Sequence, residues 1–116
     1  MGHHGDMSEF SRTPGVIPYV LVHDGPRRLL TIDAVASGML QPAAACPVIG
    51  IDGQQYQTLW GRATFEIPAD RNVHVSAHVT ADDPFGFASV LLPPAPTPVL
   101  LNYERDGLVR WGLFLQ

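Results

Sequence analysis

Two histidines, His74 and His78, stand four residues apart in the stretch RNVHVSAHVT. On a helix that spacing places both imidazoles on one face, where they grip a zinc ion. A small metal-dependent enzyme using His74 or His78 is therefore one function to weigh. The stretch itself alternates as a strand does. Val73, Val75, Ala77 and Val79 face one way, and Asn72, His74, Ser76, His78 and Thr80 the other. On a strand, residues i and i+4 share a face but lie about 13 Å apart at about 3.3 Å per residue. Zinc holds its nitrogen ligands at about 2.1 Å, so the two rings do not share one ion. The expectation is two histidines on a solvated sheet face, with no metal bound.

The other chemistry-bearing residues stand singly. Cys46 lies in Ala-Ala-Ala-Cys-Pro. A thiol nucleophile needs a lowered pKa, from a histidine or a helix N-terminus, and no cysteine-protease signature surrounds it. Its expected role is that of a small buried hydrophobe. Asp82 and Asp83 lack the D-x-D-x-D-G frame of a calcium loop and read as a solvated turn. Glu66 and Glu104 are expected on exposed strand faces, and no spacing pairs them as acid and base. His3 and His4 sit in the N-terminal stretch, and no site is built on them. Catalytic residues: none are expected, nor any cofactor.

The aromatic residues are the better candidates for binding. Trp60, Trp111, Tyr19, Tyr56 and Tyr103 are of the kind that stacks on sugars or anchors a protein interface. Core packing competes for each of them. Trp111 shares a strand face with Val109, Leu113 and Leu115, and Trp60 flanks a turn at Gly61. Leu113-Phe114-Leu115 is apolar on both faces. A strand like that is either covered twice or left as an edge that pairs with another chain. Trp60, Tyr56, Trp111 and Phe114 are accordingly the residues expected to touch a ligand or partner. The contact expected is a protein partner or a second copy, joined through edge strands.

These residues must be positioned by short strands. Val16 to His23 reads as a strand, with Pro18 marking an edge or the strand's start. Asp24-Gly25-Pro26 is a turn signal, with Arg28 to Asp33 as the return strand. Residues 34–47 are Ala-rich, broken by Gly38 and Pro42, with room for one short helical turn or none. Further strands are expected at Val48–Ile51, Tyr56–Trp60, Ala63–Ile67, Asn72–Thr80, Phe87–Leu92, Val99–Glu104 and Leu108–Leu115, with a short hairpin turn at Asp106-Gly107. Helical periodicity is absent. Seven to nine short strands separated by turns predict an all-β domain, a β-sandwich or small barrel. Residues 1–14 read as a loose tail and 15–116 as the sandwich.

Composition excludes several classes. The chain has 116 residues and a net charge of −4, with 16% charged residues against the usual ~25%. Nothing draws it to nucleic acid or an anionic membrane. One cysteine rules out an intrachain disulfide. No apolar run approaches the ~18 residues of a membrane helix, and MGHHGDMSEF is neither a signal peptide nor a myristoylation site. The compartment expected by default is the cytoplasm; a domain cut from a larger or anchored protein would take its parent's address. All seven basic residues are Arg, which together with the Ala, Gly and Pro content suggests a GC-rich, actinobacterial genome.

The segment IGIDGQQYQTLWGRATFEIPADRNVHVSAHV carries a family pattern. Ile51-Asp52-Gly53 closes a strand, Trp60-Gly61 follows, Ile67-Pro68-Ala69 closes the next, and an alternating His/Val strand comes after. This resembles the PEGA-like, immunoglobulin-like β-sandwich modules. It is similar also to small uncharacterised actinobacterial domains that add a Phe-Gly pair (here Phe85-Gly86) and a strand bearing Tyr (here Tyr103). Asp70 stands where those modules use a turn glycine, and Pro93 to Pro98 where they use a glycine turn. The resemblance implies a surface or accessory binding module and carries over no catalytic residue. The function expected is a non-catalytic structural or protein-interaction module, with a carbohydrate- or cell-envelope-binding module as the alternative.

Overall fold

A computed structural model describes residues 15–35, 45–81, 83–104 and 107–110. Among them the chain is all-β, with no helix and nine strands in two sheets. The strands are β1 (Val16–Ile17), β2 (Arg27–Val35), β3 (Cys46–Ile51), β4 (Gln54–Gln57), β5 (Gly61–Pro68), β6 (Val73–Thr80), β7 (Phe85–Leu92), β8 (Val99–Glu104) and β9 (Gly107–Arg110). One sheet has the order β1-β5-β2-β8-β9 and the other β4-β3-β6-β7. Both contribute to one apolar core. Leu30, Ile32, Phe65, Ile67, Leu101 and Tyr103 come from the first sheet, and Ile49, Ile51, Val73, Val75, Ala77 and Val79 from the second. Burying side chains of this size is worth about 1.5–3 kcal/mol each. The period-2 pattern of β2 and β6 therefore fixes which face turns inward.

The four-stranded sheet is antiparallel throughout. In the hairpin between β3 and β4, Asp52 (φ 48°) and Gly53 (φ 89°) both take the left-handed conformation. That suits a two-residue turn whose twist matches the strands. The five-stranded sheet is mixed. β2 pairs antiparallel with β5 from Arg27↔Pro68 to Ala34↔Gly61, and parallel with β8 from Leu30↔Val99 to Val35↔Glu104. A parallel neighbour needs a crossover. The chain makes it through Pro93 to Pro98, between β7 in one sheet and β8 in the other. Arg28 holds that crossover. Its side chain is on the inward face of β2 and 2% exposed. It donates to the carbonyls of Pro93 (2.7 Å) and Thr97 (3.2 Å).

Several expectations need correction. The first strand stops at Ile17, and it pairs parallel with β5, not as a hairpin with β2. Both edges of β2 are already taken by β5 and β8, and Pro18 has no N–H to extend a ladder. Residues 18–26 instead form an extended strap that turns Tyr19, Leu21 and His23 inward and Val20 and Val22 outward. Trp60 lies in a bend beyond β4, not within a strand. Glu66 is 1% exposed, not on a solvated face. The strap covers it, and its carboxylate accepts from Arg27 Nη1 at 2.6 Å. Cys46 is half-buried, with the Gln57 amide donating to its sulfur. The tail 1–14, residues 36–44, Asp82, Trp111 and the Leu113-Phe114-Leu115 strand lie outside the described residues.

Candidate functional site

Polar chemistry in the molecule gathers at two places. The first is the end of the core closed by the strap. Tyr19 OH donates to Asp52 Oδ2 (2.8 Å) and accepts from Arg71 Nη2 (2.7 Å). The other Asp52 oxygen accepts from the backbone N–H of His74 (2.8 Å). Arg27 donates to Glu66 and also to the carbonyl of His23 (2.7 Å). His23 Nε2 meets Asp70 Oδ1 at 2.7 Å. Gly25 leaves room for that pair, since a Cβ there would fall 2.1 Å from Asp70 Oδ2 and push the carboxylate aside. Burial, then the Asp52 hydrogen bond, raises the Tyr19 phenol above its ordinary value. The His23 hydrogen bond holds the Asp70 carboxyl below its own. Every charged group in this cluster has a partner within the fold. It is a clasp that ties the strap to the β3–β4 and β5–β6 turns.

The second place is the outer face of the four-stranded sheet. The ladder sets three rows across it. The middle row is Gln55, Gly50, Ser76 and Ser89. On one side Gln57 pairs with Val48 and Val48 with His78, and His78 stacks on Phe87 with ring centroids 5.0 Å apart and planes at 17°. On the other side His74 pairs with Leu91. Phe87 is 64% and Leu91 58% exposed. β3, β4, β6 and β7 contain no Asp, Glu, Arg or Lys. Solvated sheet faces of soluble domains ordinarily carry mixed charge. Centres of protein interfaces lack charge and are rich in aromatics.

Of the residues singled out from sequence for binding, Tyr56 and Trp60 sit elsewhere. Tyr56 turns inward and packs on Phe65, ring centroids 5.6 Å apart. Trp60 is half-buried against the core, and its indole N–H donates to the Ala45 carbonyl at 3.2 Å. Trp111 and Phe114 lie outside the described residues. His74 and His78 do share the outer face of β6. No group of three His, Cys, Asp or Glu suited to a metal occurs among the described residues. No helix among them is long and apolar enough to cross a membrane. Sequence reasoning passed over Phe87 and Leu91. Their signal was there in the period-2 spacing of FASVL against the absence of charge on four consecutive sheet segments. Searches against protein-family models, curated proteins and solved structures returned no match for this chain.

Proposed function

We propose that this chain is a non-catalytic module that works by docking a protein surface onto the outer face of its four-stranded sheet. The observation that carries the reading is the charge-free face with Phe87 and Leu91 exposed upon it. Phe87 and Leu91 stand on a face without charged residues, the composition of an interface centre, and this supports the reading. The family reading is part of the same proposal. The Ile51-Asp52-Gly53 and Ile67-Pro68-Ala69 motifs fall at strand ends, as a PEGA-like, immunoglobulin-like module requires. The parallel β2–β8 pair departs from the antiparallel immunoglobulin sheets.

A photo-reactive phenylalanine analogue placed at position 87 in the living source cell tests the docking face. A discrete protein adduct is expected from position 87 and none from position 62, where Arg62 is exposed on the other sheet. Equal labelling from both positions, or none, overturns the reading.

A carbohydrate-binding reading has one observation in its favour. The amides of Gln55 and Gln57 and the hydroxyls of Ser76, Ser89 and Thr80 share the sheet with Phe87. A neutral glycan is recognised by that kind of surface. Titration of a glycan panel against the Phe87→Ala variant separates the two readings.

A further inference from the structure

We propose that the occupant of the charge-free face is a second copy of this chain, forming a face-to-face homodimer across a twofold axis that runs along the Ser76–Ser89 row. The inference rests on the docking face proposed above and names its partner.

Three observations lead there. The first is charge. Each chain carries a net charge of −4, so two copies repel over most orientations. All the charges on the described strands belong to the other sheet, at Arg27, Arg28, Asp33, Arg62, Glu66, Glu104 and Arg110. Two outer faces of β3, β4, β6 and β7 meet without setting like charges opposite each other.

The second is self-complementarity. Phe87 lies two residues before Ser89 and Leu91 two after; His78 lies two after Ser76 and His74 two before. Rotation by a half-turn about the Ser76–Ser89 row exchanges those ends. The stacked Phe87–His78 pair of one copy then covers the Leu91–His74 pair of the other, twice over. Each contact sets an exposed aromatic on an exposed aliphatic side chain, as an isologous interface requires. The middle row of Gly50, Ser76 and Ser89 is small. Two such rows face each other at about the 10 Å spacing of packed sheets, leaving room for water to bridge the hydroxyls.

The third is size. Four strands about 4.8 Å apart and four to eight residues long present roughly 400 Å² per copy. A pair buries about 800 Å², the size of a weak, transient contact. The dimer is therefore concentration-dependent, and sedimentation velocity over about 1–200 µM spans the transition.

Substituting Ser89 provides the test. The axis places Ser89 of one copy opposite Ser89 of the other. Ser89→Arg and Ser89→Glu each set like charges face to face and leave the core untouched, since Ser89 is exposed. The expected result is that the wild-type chain sediments at twice its monomer mass at high concentration. Each variant alone is monomeric there, with its dissociation constant raised at least tenfold. An equimolar mixture of the two recovers the dimer, and Arg62→Gln on the opposite sheet leaves it unchanged. A wild-type chain that stays monomeric at every concentration overturns the proposal. So does dimerisation of both variants as strong as wild type, or failure of the mixture to associate. If the wild type is monomeric yet position 87 still yields a discrete adduct of another mass, only self-pairing falls and the docking face stands. Loss of both removes the docking face as well.

Discussion

The two sheets of this molecule solve the problem of an outer face in opposite ways. The five-stranded sheet carries all the charge found on described strands and then covers part of it. The strap lies over Arg27 and Glu66. The four-stranded sheet carries no charge and leaves Phe87 and Leu91 in the open. On the first sheet, polar groups hold the chain to itself. On the second, the outer face is polar but without Asp, Glu, Arg or Lys, and Phe87 and Leu91 stand exposed on the surface we propose for docking. The difference teaches that the position of charge, more than its amount, separates a surface that closes a fold from the one proposed here to receive a partner.

The comparison breaks most visibly if charge is removed from the covered sheet. Glu66→Ala leaves the Arg27 guanidinium, itself largely buried, without its carboxylate. We expect a loss of about 3 kcal/mol in urea unfolding. The double variant Arg27→Met with Glu66→Leu is expected to regain most of it, because the pair's desolvation is then removed along with its attraction.

Arg28→Met comes next. Two charge-assisted bonds to carbonyls disappear while the stem volume is kept, at a cost of about 2 kcal/mol. Hydrogen exchange of the amides in 95–101 is expected to accelerate more than that of β6, which marks the damage as local to the crossover.

The pH limbs of stability are smaller effects and belong to the clasp. Asp70 is held below its ordinary value by His23. Its contribution is therefore present above the unfolded carboxyl value of about 3.9 and is lost as pH falls through the lower folded value. Asp70→Asn is expected to flatten the acid limb of thermal stability below about pH 4. Tyr19 shifts the other way. Its phenol is raised from 10.0, so the folded state resists ionisation and stability declines as pH rises past about 10. Tyr19→Phe is expected to remove that alkaline slope. An unchanged slope in either variant would break the assignment of the clasp.

The smallest effect sharpens the contrast from the other side. Phe87→Ser is expected to change the unfolding free energy by no more than about 0.5 kcal/mol, although it removes the largest exposed side chain of the docking face. A loss of several kcal/mol would make Phe87 a structural residue and abolish the distinction between the sheets.

Much of the fold is legible where a local period decides it. β6 reads correctly because each valine of VHVSAHVT buries the same face and each polar residue opposes it. The same reading removes the zinc site, since it sets His74 and His78 along a strand. What escaped the sequence is long-range. Glu66 reads as a solvated carboxylate because Arg27 and the strap that covers it come much earlier in the chain. The end of β1 at Ile17 follows from competition, as β5 and β8 occupy both edges of β2, and no local pattern records that. The docking face was half legible. The missing charges were in the sequence, but which uncharged segments join into one face depends on strand order. Trp60 and Tyr56 are partly buried and pack against the core, the role that competes with binding when aromatics are read from sequence.

The parallel pairing of β2 with β8 also governs the order in which the molecule can be completed as it leaves the ribosome. β2 is among the first strands made, yet one of its two edges stays open until Val99 to Glu104 emerges. Until then its backbone donors and acceptors are available to any passing chain, and contacts between such distant segments form slowly. A chain cut within Pro93 to Pro98 would keep seven of the nine described strands, β1 to β7, and still leave its central strand β2 with an open edge as a template for aggregation. β8 therefore acts as the closure for the edge that the strands before it leave open.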